Sequence, residues 1–294
     1  MGGRFGRVIT AMVTPFKDDF TLDVGRAEEI ARWLADTGSD GLVVAGSTGE
    51  AATLSNEEKV TLWRSVARAV DGRAKVIAGS GTYDTAHSVH LTEEAEKAGV
   101  DGILAVTPYY NKPPQRGLVE HFSRIAEATT LPVLLYNIPG RTALRIEHAT
   151  LLRLAEVENI VGVKDSTADF DGISRLISES PDGFEVYSGD DWATFGYCCL
   201  GAVGVISVAA HVVGDLMNRM IELVEQGDVG SARKIHEELL PIYRALFLVS
   251  NPIPVKAAVA LAGHAAGPPR LPLVPAAEDE IAQVKEAMQQ VGVL

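Results

Sequence analysis

Four short stretches of this chain hold residue types able to do covalent chemistry. The first is Ile160-Val161-Gly162-Val163, an apolar run closed by Lys164 and followed by Asp165-Ser166-Thr167. So short a run, rich in β-branched residues, reads as a fully buried strand. The lysine that closes it has two possible fates. It can snorkel, keeping its stem on apolar surface and its ammonium in water. Alternatively it can stay inside, where desolvation disfavours the charged form and a neutral amine can form a Schiff base with a carbonyl compound. Asp165-Ser166-Thr167 offers helix N-cap chemistry and is assigned to starting the next helix.

The other three stretches bear on that choice. A strand predicted at 132–136 runs into Tyr136-Asn137-Ile138-Pro139-Gly140-Arg141-Thr142. A strand-end tyrosine can move protons, and an arginine fork just beyond it can hold a carboxylate. A strand at 41–45 is followed by Gly46-Ser47-Thr48-Gly49-Glu50. Two hydroxyls between glycines, opening toward a helix, make an anion cradle of N–H groups and Oγ atoms. The loop lacks the lysine and spacing of a Walker motif. Thr107-Pro108-Tyr109-Tyr110-Asn111 puts two tyrosines on a proline-bounded loop, where packing or an interface accounts for them equally well.

Metal and triad chemistry find little support. His87 and His90 have helical spacing but fall on a predicted helix, and Asp190-Asp191 reads as helix capping before cation binding. His211 is the only histidine close after a strand, and no Ser-His-Asp constellation emerges. No metal is expected.

These stretches are positioned by a regular alternation of elements. Strands are predicted at 8–13, 41–45, 75–79, 102–106, 132–136, from 160, at 184–188 and at 203–208. Helical periodicity follows each, at 24–37, from the Ser55 cap to about 70, at 85–98, to about 128, and near 147–155, 169–180, 191–200 and 212–226. Eight strand–helix units predict the α/β class and a closed (β/α)8 TIM barrel. A doubly wound open sheet is the alternative, but the Gly-x-Gly-x-x-Gly turn it favours after the first strand is absent. After Gly227 the strands stop, and helices are predicted at 229–249, 254–262 and 277–291. The chain therefore divides into a catalytic barrel, 1–227, and a C-terminal helical extension, 228–294, joined without a flexible linker and so packed tightly. In such a barrel the active site lies at the C-terminal ends of the strands, where all four stretches fall.

Composition narrows the partners. The chain has 294 residues and a net charge of −13, which argues against a nucleic-acid binder. No apolar run is long enough to span a membrane. Met1-Gly2-Gly3-Arg4-Phe5-Gly6 contains no signal-peptide core, and Gly6 stands where an acylation motif wants Ser or Thr. Cys198 and Cys199 are adjacent, too close for a relaxed disulfide, and read as buried small hydrophobes in a reducing compartment. A cytoplasmic location is expected.

Together, an interior lysine, a tyrosine one strand away, a hydroxyl cradle and an arginine suit Schiff-base work on an α-keto acid. The imine is an electron sink. Loss of a proton from the adjacent methyl gives an enamine, which can add to an aldehyde.

At these residues the sequence resembles the dihydrodipicolinate synthase family, in the N-acetylneuraminate lyase superfamily of class I aldolases. The resemblance runs from Thr14-Pro15-Phe16 to Asn251-Pro252-Ile253-Pro254-Val255-Lys256 and Arg270-Leu271-Pro272. Its most specific pieces are 46–50, 106–111, 136–142, 162–165 and 188–190. It implies pyruvate and L-aspartate 4-semialdehyde as substrates on the diaminopimelate route to lysine, with no cofactor beyond the Lys164–pyruvate Schiff base. It also implies a homotetramer built as a dimer of dimers. Lys164 matches the imine-forming lysine. Tyr136, Ser47 and Tyr110 match a proton relay, with Tyr110 reaching across a dimer interface. Thr48 matches the carboxylate cradle, Arg141 the residue that receives the semialdehyde carboxylate, and Gly189 and Ile206 positions whose backbone lines the pyruvate pocket.

Two departures stand out. Serine replaces the usual threonine at 47, which keeps the hydroxyl and loses the methyl that stiffens χ1. In feedback-inhibited members an asparagine and a glutamate after the third strand hold lysine. Those places carry Tyr83 and His87 here, while other pocket positions carry Ala51, Asn56 and Lys59, and only Tyr109 keeps its type. Weak or absent inhibition by lysine is therefore expected. A sister aldolase acting on a sugar keto acid such as N-acetylneuraminate is the alternative activity, and Arg141 argues against it. A catalytically silent barrel is opposed by the joint presence of Lys164, Tyr136, Ser47 and Tyr110.

Overall fold

Eight short apolar runs become eight strands: β1 Val8–Ala11, β2 Gly41–Val44, β3 Lys75–Gly79, β4 Gly102–Val106, β5 Val133–Asn137, β6 Ile160–Asp165, β7 Glu185–Ser188 and β8 Gly204–Ser207. A computed structural model describes residues 2–294. The strands pair in sequence order, all parallel, and β8 returns to β1 through Val8↔Val205, Ile9↔Ile206 and Thr10↔Ser207. That closure establishes the TIM barrel and excludes the open sheet. Strands covered on both faces have no polar side to show, so they read as continuous apolar runs.

The intervening helices are α1 Val24–Asp36, α2 Asn56–Val70, α3 Thr85–Ala98, α4 Gln115–Glu127, α5 Pro139–Thr142, α6 His148–Ala155, α7 Phe170–Glu179, α8 Thr194–Leu200 and α9 Ala210–Glu225. Side-chain caps start several of them. Ser55 and Glu58 form a reciprocal capping box at the head of α2, with bonds of 2.9 and 3.2 Å. Inside the barrel, Ile9, Val43, Ile77, Leu104, Leu134, Tyr136, Val161, Tyr187 and Ile206 form one cluster, with Phe5 packed among them. A larger cluster fills the layer between strands and helices.

Several expected boundaries move. β1 stops at Ala11, and β2 at Val44, where Ala45 turns into the left-handed region at φ 57°. β5 and β6 each run one residue further than expected, because Asn137 and Asp165 pair with each other. The loop after β5 contains the short helix α5, and the helix expected at 191–200 divides into a 3-10 turn, Asp191–Ala193, and α8. Cys198 is buried and Cys199 exposed, which corrects the reading of both as core residues. Neighbours on a helix point about 100° apart, and Cys199 falls on the exposed side of α8. No helix among the described residues is long and apolar enough to cross a membrane.

The C-terminal residues form α10 Val229–Ala245, α11 Ile253–Leu261 and α12 Glu278–Gln290. α10 packs on α9 and α12, and α11 packs on α12. A buried ion pair fastens this region to the β2 loop: Lys256 Nζ lies 2.6 Å from Glu50 Oε1, with both side chains almost wholly enclosed. Glu50 Oε2 also accepts from the Arg270 N–H at 2.8 Å. The Arg270 guanidinium forks onto Glu58 at 2.6 and 2.8 Å, and both Lys256 and Arg270 lie over the Phe16 ring.

Removing one partner of a buried ion pair strands the other, typically at about 3–5 kcal/mol. Lys256→Met should therefore lose about that much stability in denaturant unfolding. The Glu50→Gln/Lys256→Met double variant should recover a large part of it. Unchanged unfolding of the single variant would show that this pair does not hold the C-terminal region in place.

Candidate active site

Tyr136 on β5 and Lys164 on β6 are register partners in a parallel pair. Side chains at matched positions leave the sheet on the same side, and here that side is the barrel interior. Lys164 is 5% exposed, so it does not snorkel. Its Nζ lies 4.3 Å from the centroid of the Tyr136 ring, a cation–π distance. Thr107 fixes Tyr136 from the next strand: its N–H and Oγ1 both donate to the Tyr136 carbonyl, at 2.9 and 2.8 Å.

A bulge sets the phase of β6. Val133 pairs with Ile160 but Leu134 pairs with Gly162, leaving Val161 as the extra residue. Gly162 is needed there, because a Cβ would meet the Glu185 carbonyl oxygen at 2.2 Å. Beyond the bulge, Lys164 points in and Asp165 points out. The Asp165 carboxylate accepts from Asn137 Nδ2 (2.9 Å), the Thr167 N–H (2.9 Å), Thr167 Oγ1 (2.6 Å) and the Tyr197 hydroxyl (3.1 Å). Asp165-Ser166-Thr167 therefore does not begin the next helix, as the sequence suggested. Asp165 ends the strand, and Asp169 caps α7 by accepting from the Gly172 N–H.

The β7 loop closes over the same end. The Gly189 N–H donates to the Asp165 carbonyl at 2.7 Å, and a Cβ at Gly189 would overlap Ser166 Oγ. Burial raises the Asp190 carboxyl, and the nearby Lys164 charge opposes that rise. Asp191 is fully buried and pushed up to about 6. It accepts from Ser207 Oγ (2.5 Å) and the Ala209 N–H (2.9 Å). Neither aspartate caps its own helix through its side chain, contrary to expectation. Asp191 instead ties the β7 loop to the β8 loop.

A cavity of about 410 Å³ opens at this end of the barrel. Of the expected site residues, Ser47, Tyr136 and Arg141 are on its wall. Lys164 is not on the wall; its amine sits against Tyr136, which is. The Ser47 hydroxyl is exposed and makes no hydrogen bond to the described residues. Thr48 is buried off the wall, and its Oγ1 accepts from Asn251 Nδ2 at 2.8 Å. Arg141 Nη2 donates to the Asn251 carbonyl at 3.1 Å. Gly189 and Ile206 also lie off the wall, Ile206 inside the barrel. Tyr110 projects from the protomer, 94% exposed, at φ 72°. The cradle expectation needs correction in one respect. The loop leads into a single 3-10 turn, Ala51–Thr53, and α2 begins only after Ser55. No α-helix N-terminus faces the hydroxyls.

His211 and His87 are held by hydrogen bonds within the fold. His211 is buried and pushed down to about 4, hence neutral. Its Nδ1–H donates to Val208 O at 2.8 Å and its Nε2 accepts from the Val13 N–H at 3.2 Å. His87 Nε2–H donates to Asn56 Oδ1. Sequence reasoning assigned no role to Asn251, which holds both Thr48 and Arg141; the Asn-Pro-Ile-Pro motif containing it was the available signal.

The model of the dihydrodipicolinate synthetase family matches residues 4–291. The chain belongs to that family. It is a lyase of the class I aldolase type. The chain is 50% identical over 291 residues to the 4-hydroxy-tetrahydrodipicolinate synthase of Moorella thermoacetica, covering 99% of this chain and 100% of that one. Identity to the Listeria monocytogenes enzyme of the same name is 51% over 273 residues, 92% of each chain. Among solved structures, the dihydrodipicolinate synthase of Cyanidioschyzon merolae with lysine bound superposes at a TM-score of 0.97, with 44% identity over 99% of this chain and 100% of that one.

Asp165→Asn places an N–H2 group among four donors. It should cost about 1.5–3 kcal/mol, the worth of a hydrogen bond to a charged group, measured by denaturant unfolding. Wild-type stability in this variant would mean that the Asp165 cluster does not hold the end of β6.

Proposed function

We propose that the chain catalyses the 4-hydroxy-tetrahydrodipicolinate synthase reaction, the Schiff-base condensation of pyruvate with L-aspartate 4-semialdehyde on the diaminopimelate route to lysine. The observation that carries this reading is the interior Lys164 amine held against Tyr136 at the edge of the cavity. The names of the relatives support it.

Lys164 attacks the keto carbon of pyruvate and water leaves, giving an imine. A methyl proton is lost to give the enamine, whose carbon attacks the aldehyde of the second substrate. The substrate's own amino group then displaces Lys164 and closes the ring. Tyr136 and Ser47 pass protons during imine formation, with Tyr110 of a second copy as third member of the relay. Thr48 and the backbone at Gly189 and Ile206 surround the pyruvate, and Arg141 receives the semialdehyde carboxylate. The chemistry needs no cofactor or metal, because the imine itself is the electron sink.

The full exposure of Tyr110 at a left-handed backbone angle supports an assembly in which another protomer holds it, proposed as a homotetramer made of two dimers. One solved relative is described as the first monomeric dihydrodipicolinate synthase variant. We assign catalysis to the barrel, 1–227, and completion of the cavity wall to 228–294, which supplies Ser250, Asn251, Pro272 and Leu273. A cytoplasmic enzyme fits the redox reading of its cysteines.

Borohydride added with pyruvate should leave a permanent adduct on Lys164, found by peptide mass spectrometry. A protein that gains no mass would leave the silent barrel standing. Arg141→Ala should still form that adduct. Its kcat/KM for the semialdehyde should fall at least tenfold, from the loss of about 1.5–3 kcal/mol in charged hydrogen bonds. Unchanged turnover would remove Arg141 from this role.

A further inference from the structure

Asn251, between α10 and α11, touches both side chains to which the reaction gives a carboxylate. It is 6% exposed and forms part of the cavity wall. Its Nδ2 donates to Thr48 Oγ1 at 2.8 Å, and its backbone carbonyl accepts from Arg141 Nη2 at 3.1 Å. Its Oδ1 is enclosed and accepts from no described residue. The bond to Thr48 is thus the single anchor of the amide among the described residues.

The direction of that bond decides what Thr48 can do. A hydroxyl has one proton to give and two lone pairs to offer, whereas an amide N–H can only donate. Thr48 Oγ1 is therefore the acceptor, and its own proton stays available. Among the described residues it has no other hydrogen-bond partner. Neighbouring hydroxyls behave differently: Thr14 Oγ1 donates to the Gly49 carbonyl at 2.6 Å, and Thr53 Oγ1 to the Glu50 carbonyl at 3.1 Å. Those protons are spent on the loop itself, and the Thr48 proton is not. A hydroxyl that accepts one hydrogen bond is also polarised into a better donor. With the amide turned over, Oδ1 would take the Thr48 proton, and the hydroxyl would have only lone pairs left for a ligand.

We propose that Asn251 is a positioning residue for both substrates. Its amide turns the Thr48 hydroxyl proton toward the pyruvate carboxylate, and its backbone carbonyl aims Arg141 at the carboxylate of the second substrate. Two loops far apart in sequence then hold two anions in one fixed relation. The proposal rests on the Schiff-base reading of Lys164. The side-chain half of the role acts on pyruvate alone, so an assay without the semialdehyde separates it from Arg141.

Trapping the pyruvate adduct on Lys164 with cyanoborohydride, read by protein mass, gives a half-saturating pyruvate concentration for the intact assembly. Asn251→Asp keeps the shape of the side chain but, once ionised, can only accept, so it draws the Thr48 proton to itself. Half-saturation should then rise about tenfold at about pH 8, the worth of a hydrogen bond to a charged group. Acid restores an O–H donor at this position. The ratio to wild type should therefore fall back toward one as the carboxyl protonates, above the ordinary aspartate value because the position is buried. Taking that ratio at each pH removes the titration of Lys164 and of the wall groups Glu50, Lys59, Tyr109, Tyr136 and Arg141. Asn251→Leu, a neutral near-isostere, should also raise half-saturation, with no pH dependence of the ratio. In a Thr48→Val background, where no hydroxyl is left to turn, Asn251→Asp should add little. A thermal melt checks the fold of each variant. No adduct in wild type overturns the Schiff-base reading and this proposal with it. An adduct in wild type with unchanged half-saturation in either Asn251 variant overturns the proposal alone, and that is the outcome if the amide faces the other way. An equal rise in the Thr48→Val background overturns it as well, since charge repulsion then explains the effect.

Discussion

The pairing of β5 with β6 is the constraint on which the rest of this molecule depends. In a parallel sheet, register decides which side chains share a face, and a slip of one residue turns every one of them over. Tyr136 opposite Lys164 is therefore a statement about both strands at once. The bulge at Val161 shifts the phase, and Gly162 permits β7 to approach. Past the strand end, Asn137 and Asp165 hold each other at 2.9 Å. An amine on a flexible four-carbon stem gains a fixed address because the backbone beneath it has no other register to occupy.

Around that pair, loops far apart in sequence are tied by buried polar groups. Asn251 bonds Thr48 through its amide and Arg141 through its carbonyl. Glu50, next to the hydroxyl loop, is gripped by Lys256 and Arg270. Asp191 joins the loops after β7 and β8. The apolar core builds the barrel, and a small number of satisfied polar contacts then orient its open end.

The barrel was legible in the sequence because its strands are buried on both faces and separated by capped helices. Lys164, Tyr136, Ser47 and Arg141 were legible because a barrel puts chemistry at strand ends. What was not legible depended on contacts across the chain. Asp165-Ser166-Thr167 has the composition of a helix start, but the nearby Asn137 and Tyr197 claim its carboxylate. Asp190-Asp191 looked like a cap until Ser207 and Ala209 supplied stronger donors for Asp191. Glu50 at φ 56° turns the hydroxyl loop away from α2, a backbone choice that local propensity does not announce.

The cavity wall takes Ser47 from the β2 loop and Ser250, Asn251, Pro272 and Leu273 from the C-terminal helical region. Synthesis of the chain delivers these pieces in a fixed order. β8 ends at Ser207, so all the strands of the barrel have emerged before any of the C-terminal wall residues has left the ribosome. A nascent or prematurely ended chain can hold Lys164 opposite Tyr136 while one side of the cavity still stands open to water. One side of the cavity wall is thus in place only once 228–294 has docked on the barrel.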